Sequence, residues 1–345
     1  MLGYMPKDTA PPEIETLAEQ RAVARRERDF ARADALKGEI EAAGWRVVDY
    51  ASLWSLERAH APSVESGGRL QYGSSAQVPS RLDDAPVGTA TVVLLASEFP
   101  GDIARAVAAL TEHAPDGTQV VIVANAPSDE QAVALDALDR ADPGAPGMVV
   151  DVVWTSARFG EAAALNAGLR RAAGPIVVLM DASVEPAGDV VSPLVRALDD
   201  ATVAVAGPFG LVSADMRRFE APAEASGDVD AIEGYLMAFR RADFAARGPL
   251  DEHFTFYRTL DVWWSLMLRD DDEGRHRRAV LVPGLALERH VHRGWASLSD
   301  EERDRRSKKN FYRLLKYFAA RRDLLTATAS GRVAGAGDGA VSATE

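Results

Sequence analysis

The chain reads as an α/β protein, a mostly parallel β-sheet with helices on both faces. Three observations predict this. Between residues 89 and 293, short apolar runs alternate with helix-length stretches, the pattern of strands joined by crossover helices. Within it, a helical stretch with Ala163, Ala164, Ala167 and Gly168 on one face leads through Gly174 into the apolar run Ile176 to Met180, which ends on Asp181. The chain has 345 residues, enough for one large domain or two with an ample core.

Taken in order, residues 1–11 are Pro-rich and residues 12–43 are helical. Pro11 and Pro12 suit a helix start. Phe30, Ala33, Leu36, Ile40 and Ala43 recur at helical spacing. Asp29 fits an N-cap between two helices, Gly44 fits a C-cap, and a short strand follows over 45–48. Residues 51–88, with SVESGG, YGSSAQVPS and DDAPVG, have linker composition. Strands are then expected at 91–96, 119–123, 149–154, 176–180 and 203–206, and helices at 102–112, 129–140, 160–173 and 190–198. A basic helix is expected over 297–327. Ser299 and Glu302 form a capping box, Phe311, Leu314, Leu315 and Phe318 an apolar stripe, and nine Lys or Arg lie from Arg303 to Arg322. The domain plan is therefore a hairpin over 1–50, a linker over 51–88, the α/β domain over 89–295, the basic helix over 296–327 and a disordered tail over 328–345.

A net charge of −13 argues against a dedicated nucleic-acid binder, which presents a basic surface to phosphates. The absence of cysteine excludes disulfides and thiolate zinc sites. No apolar run approaches the roughly 20 residues of a membrane span, and the N-terminus lacks the pattern of a secretory signal. A cytoplasmic protein is the expectation. Residues 303–322 can meet anionic lipid at the inner face of a membrane, or a phosphorylated acceptor, or dock on the main domain with a solvated basic face.

In open α/β sheets, ligands bind outside the carboxyl ends of the strands, where Asp181 falls. The run ARFGEAAALNAGLRRAAGPIVVLMDASVEP, which contains Asn166-x-Gly168 and Asp181, resembles the family 2 glycosyltransferases of the GT-A fold. In them an Asn-x-Gly helix leads into a strand ending in an Asp-x-Asp metal motif. The likeness covers residues 89–295 and rests on the order and spacing of several segments. It implies a GT-A, Rossmann-like fold, a nucleotide-sugar donor and a divalent metal (Mg²⁺ or Mn²⁺), bound weakly or not at all here. It also implies an inverting transfer of a hexosyl type to a glycan, lipid or protein acceptor. Separately, residues 17–50 are similar to the C-terminal helical hairpin of cysteinyl-tRNA synthetases. That implies an RNA or partner contact, or a portable hairpin used for packing or self-association into a homo-oligomer.

The resemblance assigns roles residue by residue. After the second strand, Ala124 stands where the family places a base-reading Asp, so Asn125 and Asp129 are left to hold the nucleotide, with Asp129 alternatively a helix cap. Asn166 belongs to the donor-side helix. In Asp181-Ala182-Ser183-Val184-Glu185 the second acid of the metal motif is Ser183. Residues 181, 183 and 185 of an extended segment face one way, so Glu185 can stand in beside Asp181. His290 and His292 can complete the metal site or meet the diphosphate. Arg240, from the acceptor-side segment, can stabilise the leaving diphosphate. Asp261 is the expected general base, with Leu260 in place of the preceding acid and Glu233 as the next candidate. Departures at Ala124, Ser183 and Leu260 keep a rival function in view, a non-catalytic GT-A domain that binds glycan, nucleotide or a partner without turnover. A translation-associated RNA binder is a third reading, which the acidic charge disfavours.

Overall fold

The computed structural model describes residues 10–50, 53–139, 148–224, 226–270 and 276–326. The expected tail, 328–345, lies outside them. The chain forms two compact units, Met1–Val64 and Glu65–Glu345.

The first unit holds helices Pro12–Arg26 and Phe30–Ala42 and the antiparallel strands Trp45–Tyr50 and Leu53–Arg58. Asp29 caps the second helix by accepting the Arg32 N–H at 3.1 Å. Gly44 takes φ +80° just past that helix, a left-handed conformation that favours glycine. Ile14, Ala18, Ile40 and Trp45 make a small core. The nearly buried Arg21 is held by both oxygens of Asp49, at 3.0 and 2.9 Å.

The second unit is built on one eight-stranded sheet. In chain order its strands are β1 (Ala90–Ala96), β2 (Thr118–Ala124), β3 (Val149–Trp154), β4 (Ile176–Met180), β5 (Val203–Gly207), β6 (Gly227–Val229), β7 (Leu236–Arg240) and β8 (Arg278–Leu281). Their spatial order is β6-β8-β5-β7-β4-β1-β2-β3. β1 to β4 pair in parallel. β7 runs antiparallel between β4 and β5, and β6 antiparallel to β8. The two-residue period of the strands divides the core. Val93, Val121, Val123 and Val153 face helices Glu161–Leu169 and Leu260–Arg269. Val92, Leu94, Val120 and Ile122 face helices Pro100–His113 and Val191–Ala197. On Glu161–Leu169 the buried small residues include Ala162 rather than Ala163. A Cβ on Gly168 would come within 2.6 Å of Val93 Cγ1, so glycine sets how close this helix lies to the sheet.

Within residues 51–88, expected as a linker, the structure has more than connecting chain. Leu53–Arg58 completes the hairpin of the first unit. Beyond it, Tyr72 N–H bonds Trp154 O at 2.8 Å, Arg81 N–H bonds Arg170 O at 2.7 Å, Val87 N–H bonds Ala173 O at 2.9 Å, and Val78 is fully buried. The basic helix is observed as Asp300–Phe318, with Ser299 Oγ capping the Glu302 N–H. It docks through Leu314 and Phe318, through Asn310 Nδ2 donating to Phe256 O (2.6 Å) and Arg258 O (2.8 Å), and through an Arg313–Asp251 pair. Among the described residues, no helix is long and apolar enough to cross a membrane.

Candidate active site

A cavity of about 850 Å³ opens at the carboxyl end of β4. Leu165, Leu179, Met237, Leu250 and Trp264 form its apolar depth. Glu161, Asp181, Glu233, Asp261 and His292 put charge around it, and Arg217, Arg218 and Lys308 also line it. Large, mostly apolar clefts with a few convergent polar groups are the usual form of small-molecule sites.

Asp181 directly follows β4. Its N–H is tied to Tyr235 O at 2.9 Å. One carboxylate oxygen accepts the Ser183 N–H at 2.8 Å, and the other lies 3.2 Å from His292 Nε2. Burial pushes this carboxyl up, but the His292 contact and the Ser183 N–H outweigh it and hold Asp181 below the usual range, ionised. Burial likewise pushes His292 down, and Asp181 together with Glu161 reverses this and raises it. The His292 ring packs on Tyr257, with centroids 4.4 Å apart. Glu161 is the first residue of its helix, fixed where the Ala162 N–H bonds Phe254 O at 3.0 Å. Burial first, and the Asp181 charge second, push Glu161 up to about 7.

Asp261 sits in the first turn of Leu260–Arg269, behind Thr259, which holds a strained left-handed φ of 75°. Its oxygens accept the Gly234 N–H at 2.9 Å and the Val262 N–H at 2.8 Å. Burial raises its carboxyl, against those two hydrogen bonds. Glu233 is raised by burial and by the Asp261 charge. Tyr235 beside it is covered by the Arg289 guanidinium, 3.9 Å from the ring centroid.

Of the residues singled out from the sequence, the cavity gathers Asp181, His292, Asp261 and Glu233. The others go elsewhere. Asn125 spends its amide on Phe159, donating to its O at 3.1 Å and accepting its N–H at 2.7 Å, so it anchors a loop and offers a ligand little. Asp129 is exposed in the first turn of its helix, and Ser128 Oγ caps that helix by accepting the Gln131 N–H. Asn166 is buried and bridges Leu250 N (2.8 Å) and O (2.9 Å). Arg240 faces Ile176, at the opposite end of β4 from Asp181. Its guanidinium is taken by the carbonyls of Leu198, Asp200 and Val203, which corrects the expectation that it meets a diphosphate. Glu185 and His290 pair with each other at 2.6 Å on a separate ribbon, Val184–Pro186 with Leu287–Arg289. The expected four-residue metal set thus divides into two carboxylate–histidine pairs, because the Asx turn at Asp181 breaks the extended run that would have aligned 181 with 185. Ser183 and Leu260, standing where the family has acids, are both buried. Sequence reasoning missed Glu161, Tyr235 and Tyr257. Glu161 had one visible signal, an acid opening the helix that leads to Asp181.

Residues 92–258 match the model of glycosyl transferase family 2. This region is a family 2 glycosyltransferase domain. The match stops at Arg258, short of Asp261 and His292. The fold is likewise that of GT-A glycosyltransferases. GalNAc-T7 with UDP, GalNAc and Mn²⁺ superposes with a TM-score of 0.53 at 18% identity, over 68% of this chain and 48% of that one. The chain therefore spans about half the length of that structure. The mannosyltransferase PcManGT from Pyrobaculum calidifontis, in complex with GDP-Man and Mn²⁺, gives 0.44 at 19% identity over 77% and 79% of the two chains. A cysteine–tRNA ligase of Opitutus terrae is 50% identical over 54 residues, 16% of this chain and 12% of that protein.

Proposed function

We propose that the family 2 domain is an inverting glycosyltransferase, moving a sugar from a nucleotide-diphosphate donor to a hydroxyl of a glycan, lipid or protein acceptor. One observation carries the reading: Asp181, His292 and Asp261, contributed by three separate parts of the chain, line one cavity at the carboxyl end of β4. Asp261 is the base. It takes the acceptor's proton while the hydroxyl oxygen attacks the sugar from the face opposite the leaving diphosphate. The backbone N–H groups of Gly234 and Val262 fix its orientation, and the apolar depth around it limits water. Arg217, Arg218 and Lys308 supply positive charge for an anionic donor. An ionised carboxylate beside an imidazole suits Mn²⁺ or Mg²⁺. Asp181 and His292 would hold that ion, which when bound neutralises the departing diphosphate. The exposed Arg305, Lys309, Tyr312 and Lys316 on one face of Asp300–Phe318 suit a peripheral contact with anionic lipid.

The test is turnover of a panel of UDP- and GDP-sugars, by transfer or slow hydrolysis, for wild type and Asp261→Asn. Loss of at least about a hundredfold with nucleotide binding retained is expected. Binding of nucleotide or glycan with no turnover of any donor by wild type would favour the non-catalytic reading instead.

A further inference from the structure

We infer that the acceptor is a membrane lipid, received from an anionic bilayer along the edge of helix Asp300–Phe318. The inference rests on the glycosyltransferase reading and names its acceptor. From Arg305 to Arg322 the chain carries eight Lys or Arg and no acid, in a protein of net charge −13. The structure divides that stretch by face. Leu314 and Phe318 are buried against the domain. Arg305, Lys309, Tyr312 and Lys316, three or four positions apart, form an exposed stripe. Arg305 pairs with Glu302, whereas Lys308, Lys309 and Lys316 have no ion pair among the described residues. The apolar face of the helix is taken up by packing, so contact with a membrane falls to the stripe. Its lysines suit anionic headgroups, and Tyr312, 69% exposed, suits the membrane–water interface.

A second observation ties the stripe to the chemistry. The neighbouring edge of the same helix lines the cavity with Asp304, Ser307, Lys308 and Phe311. Lys308 is both exposed and cavity-lining. The Phe311 ring lies beside that of Tyr312, with centroids 6.2 Å apart, so the two aromatics lead from the cavity to the stripe. A bilayer held at the stripe therefore lies against the mouth of the cavity. The lining fits a lipid, since Leu211, Phe219 and Phe311 are apolar and Arg217, Arg218 and Lys308 are cationic. An acyl chain below a polar headgroup uses both kinds of surface. A free glycan leaves the apolar walls wet. In the transfer, a headgroup hydroxyl oxygen bonds the sugar's anomeric carbon as the bond to the diphosphate oxygen breaks. The hydroxyl proton passes to Asp261, and the nucleoside diphosphate leaves.

The experiment pairs vesicle flotation with label transfer. One set of vesicles is phosphatidylcholine, the other phosphatidylcholine with phosphatidylglycerol and diacylglycerol, and the donors are UDP- and GDP-sugars labelled in the sugar. The full chain should bind the anionic vesicles at least about tenfold more tightly than the neutral ones, and less so as salt rises. Label should enter the chloroform–methanol phase. The double variant Lys309→Glu/Lys316→Glu should lose at least about tenfold in vesicle binding and in transfer to lipid, with donor hydrolysis in the absence of vesicles kept within about twofold. Tyr312→Ala, which changes no charge, should lower vesicle binding about two- to threefold. Equal binding of wild type to the two kinds of vesicle overturns the assignment. So does a double variant that binds and transfers as well as wild type. Donor hydrolysis with vesicles bound and no label in the lipid phase overturns it, as does transfer to a soluble glycan or peptide at one rate with and without vesicles. Tighter binding to a single-stranded RNA oligonucleotide than to anionic vesicles would make the stripe a nucleic-acid contact and overturn it as well. In all these cases the glycosyltransferase reading stands as long as a donor is turned over. No turnover of any donor, with or without vesicles, removes that reading and the lipid acceptor with it.

Discussion

The two halves of the sheet are built differently. β1 to β4 run parallel, each crossover carries a helix, and the helices pack on alternate residues of the strands. β5 to β8 are short and mixed in direction, with two-residue pairings between β5 and β7 and the helices Arg241–Arg247 and Leu260–Arg269 between β7 and β8. The first half positions Asp181 and Glu161 and contributes mostly scaffold. The second half carries Asp261, Glu233 and Tyr235, and the segment after β8 carries His292. Regularity and chemistry are thus divided. A repeating βα unit is fixed by local pattern, whereas a site on loops tolerates irregular backbone as long as the scaffold holds it.

The sharpest test of that division sets Asp261 against Asp251, two acids ten positions apart. Asp261→Asn should cost about a hundred- to ten-thousandfold in turnover. One of its two backbone hydrogen bonds would be lost, so stability should fall by only about 1 kcal/mol. Turnover within a few-fold of wild type would move the base to Glu233.

Asp251 should behave in the opposite way. It accepts from Arg313, from the His253 N–H at 3.1 Å and from Tyr317 Oη at 3.2 Å, so it fastens Asp300–Phe318 to the turn before Asp261. Burial pushes its carboxyl up, but these partners bring it down to about 2. A carboxyl with a depressed folded value stabilises fully above its unfolded value near 4, and that contribution is lost as pH falls toward 2. The shift corresponds to on the order of 2 kcal/mol. Wild type should therefore lose melting temperature between pH 4 and 2 more steeply than Asp251→Asn. Equal slopes would mean the Arg313 pair contributes nothing.

This contrast also explains what was legible. The four parallel strands and their helices were read to within a few residues because each announces itself by local periodicity. In the second half the strand expected at 203–206 is observed as Val203–Gly207, but the two- and three-residue strands at 219–220, 227–229 and 231–232 leave too little period to detect. For the site, Asp181 was visible because it ends an apolar strand, and Asp261 through the family resemblance, which places the base where an acid opens a helix. Arg240 misled because a Gly-containing strand followed by two arginines says nothing about which end of the sheet it reaches. Only the antiparallel register, with Arg240 opposite Ile176, decides that. Glu161 was missed because an acid in a first helical turn has an ordinary explanation in the helix dipole.

Within the regular half, Gly168→Ala should cost about 1–3 kcal/mol, because the new methyl would press on Val93 and Val123 at 2.6 and 3.0 Å. Turnover per folded molecule should be little changed. Loss of activity without loss of stability would show that the spacing of Glu161–Leu169 from the sheet sets the geometry at Glu161 directly.

The smallest effect is expected from removing the first unit. Residues 1–64 contain a core of their own, and the sheet's two cores draw every member from beyond residue 65. A chain beginning at Glu65 should melt within about 2 °C of the same unit in the full protein and keep its turnover. Beginning instead at Val87 should be ruinous. That cut removes Val78 from the core and the carbonyls of Arg81 and Asp84, which accept from the nearly buried Arg241 at 2.9 and 2.6 Å. Arg241 would keep only Ala172 O at 3.2 Å, and a buried guanidinium stripped of partners costs several kcal/mol. Scanning calorimetry of the two truncations separates the cases. If the chain starting at Glu65 melts far lower than the full protein, the first unit stabilises the sheet. If the chain starting at Val87 melts normally, residues 65–86 are a linker after all.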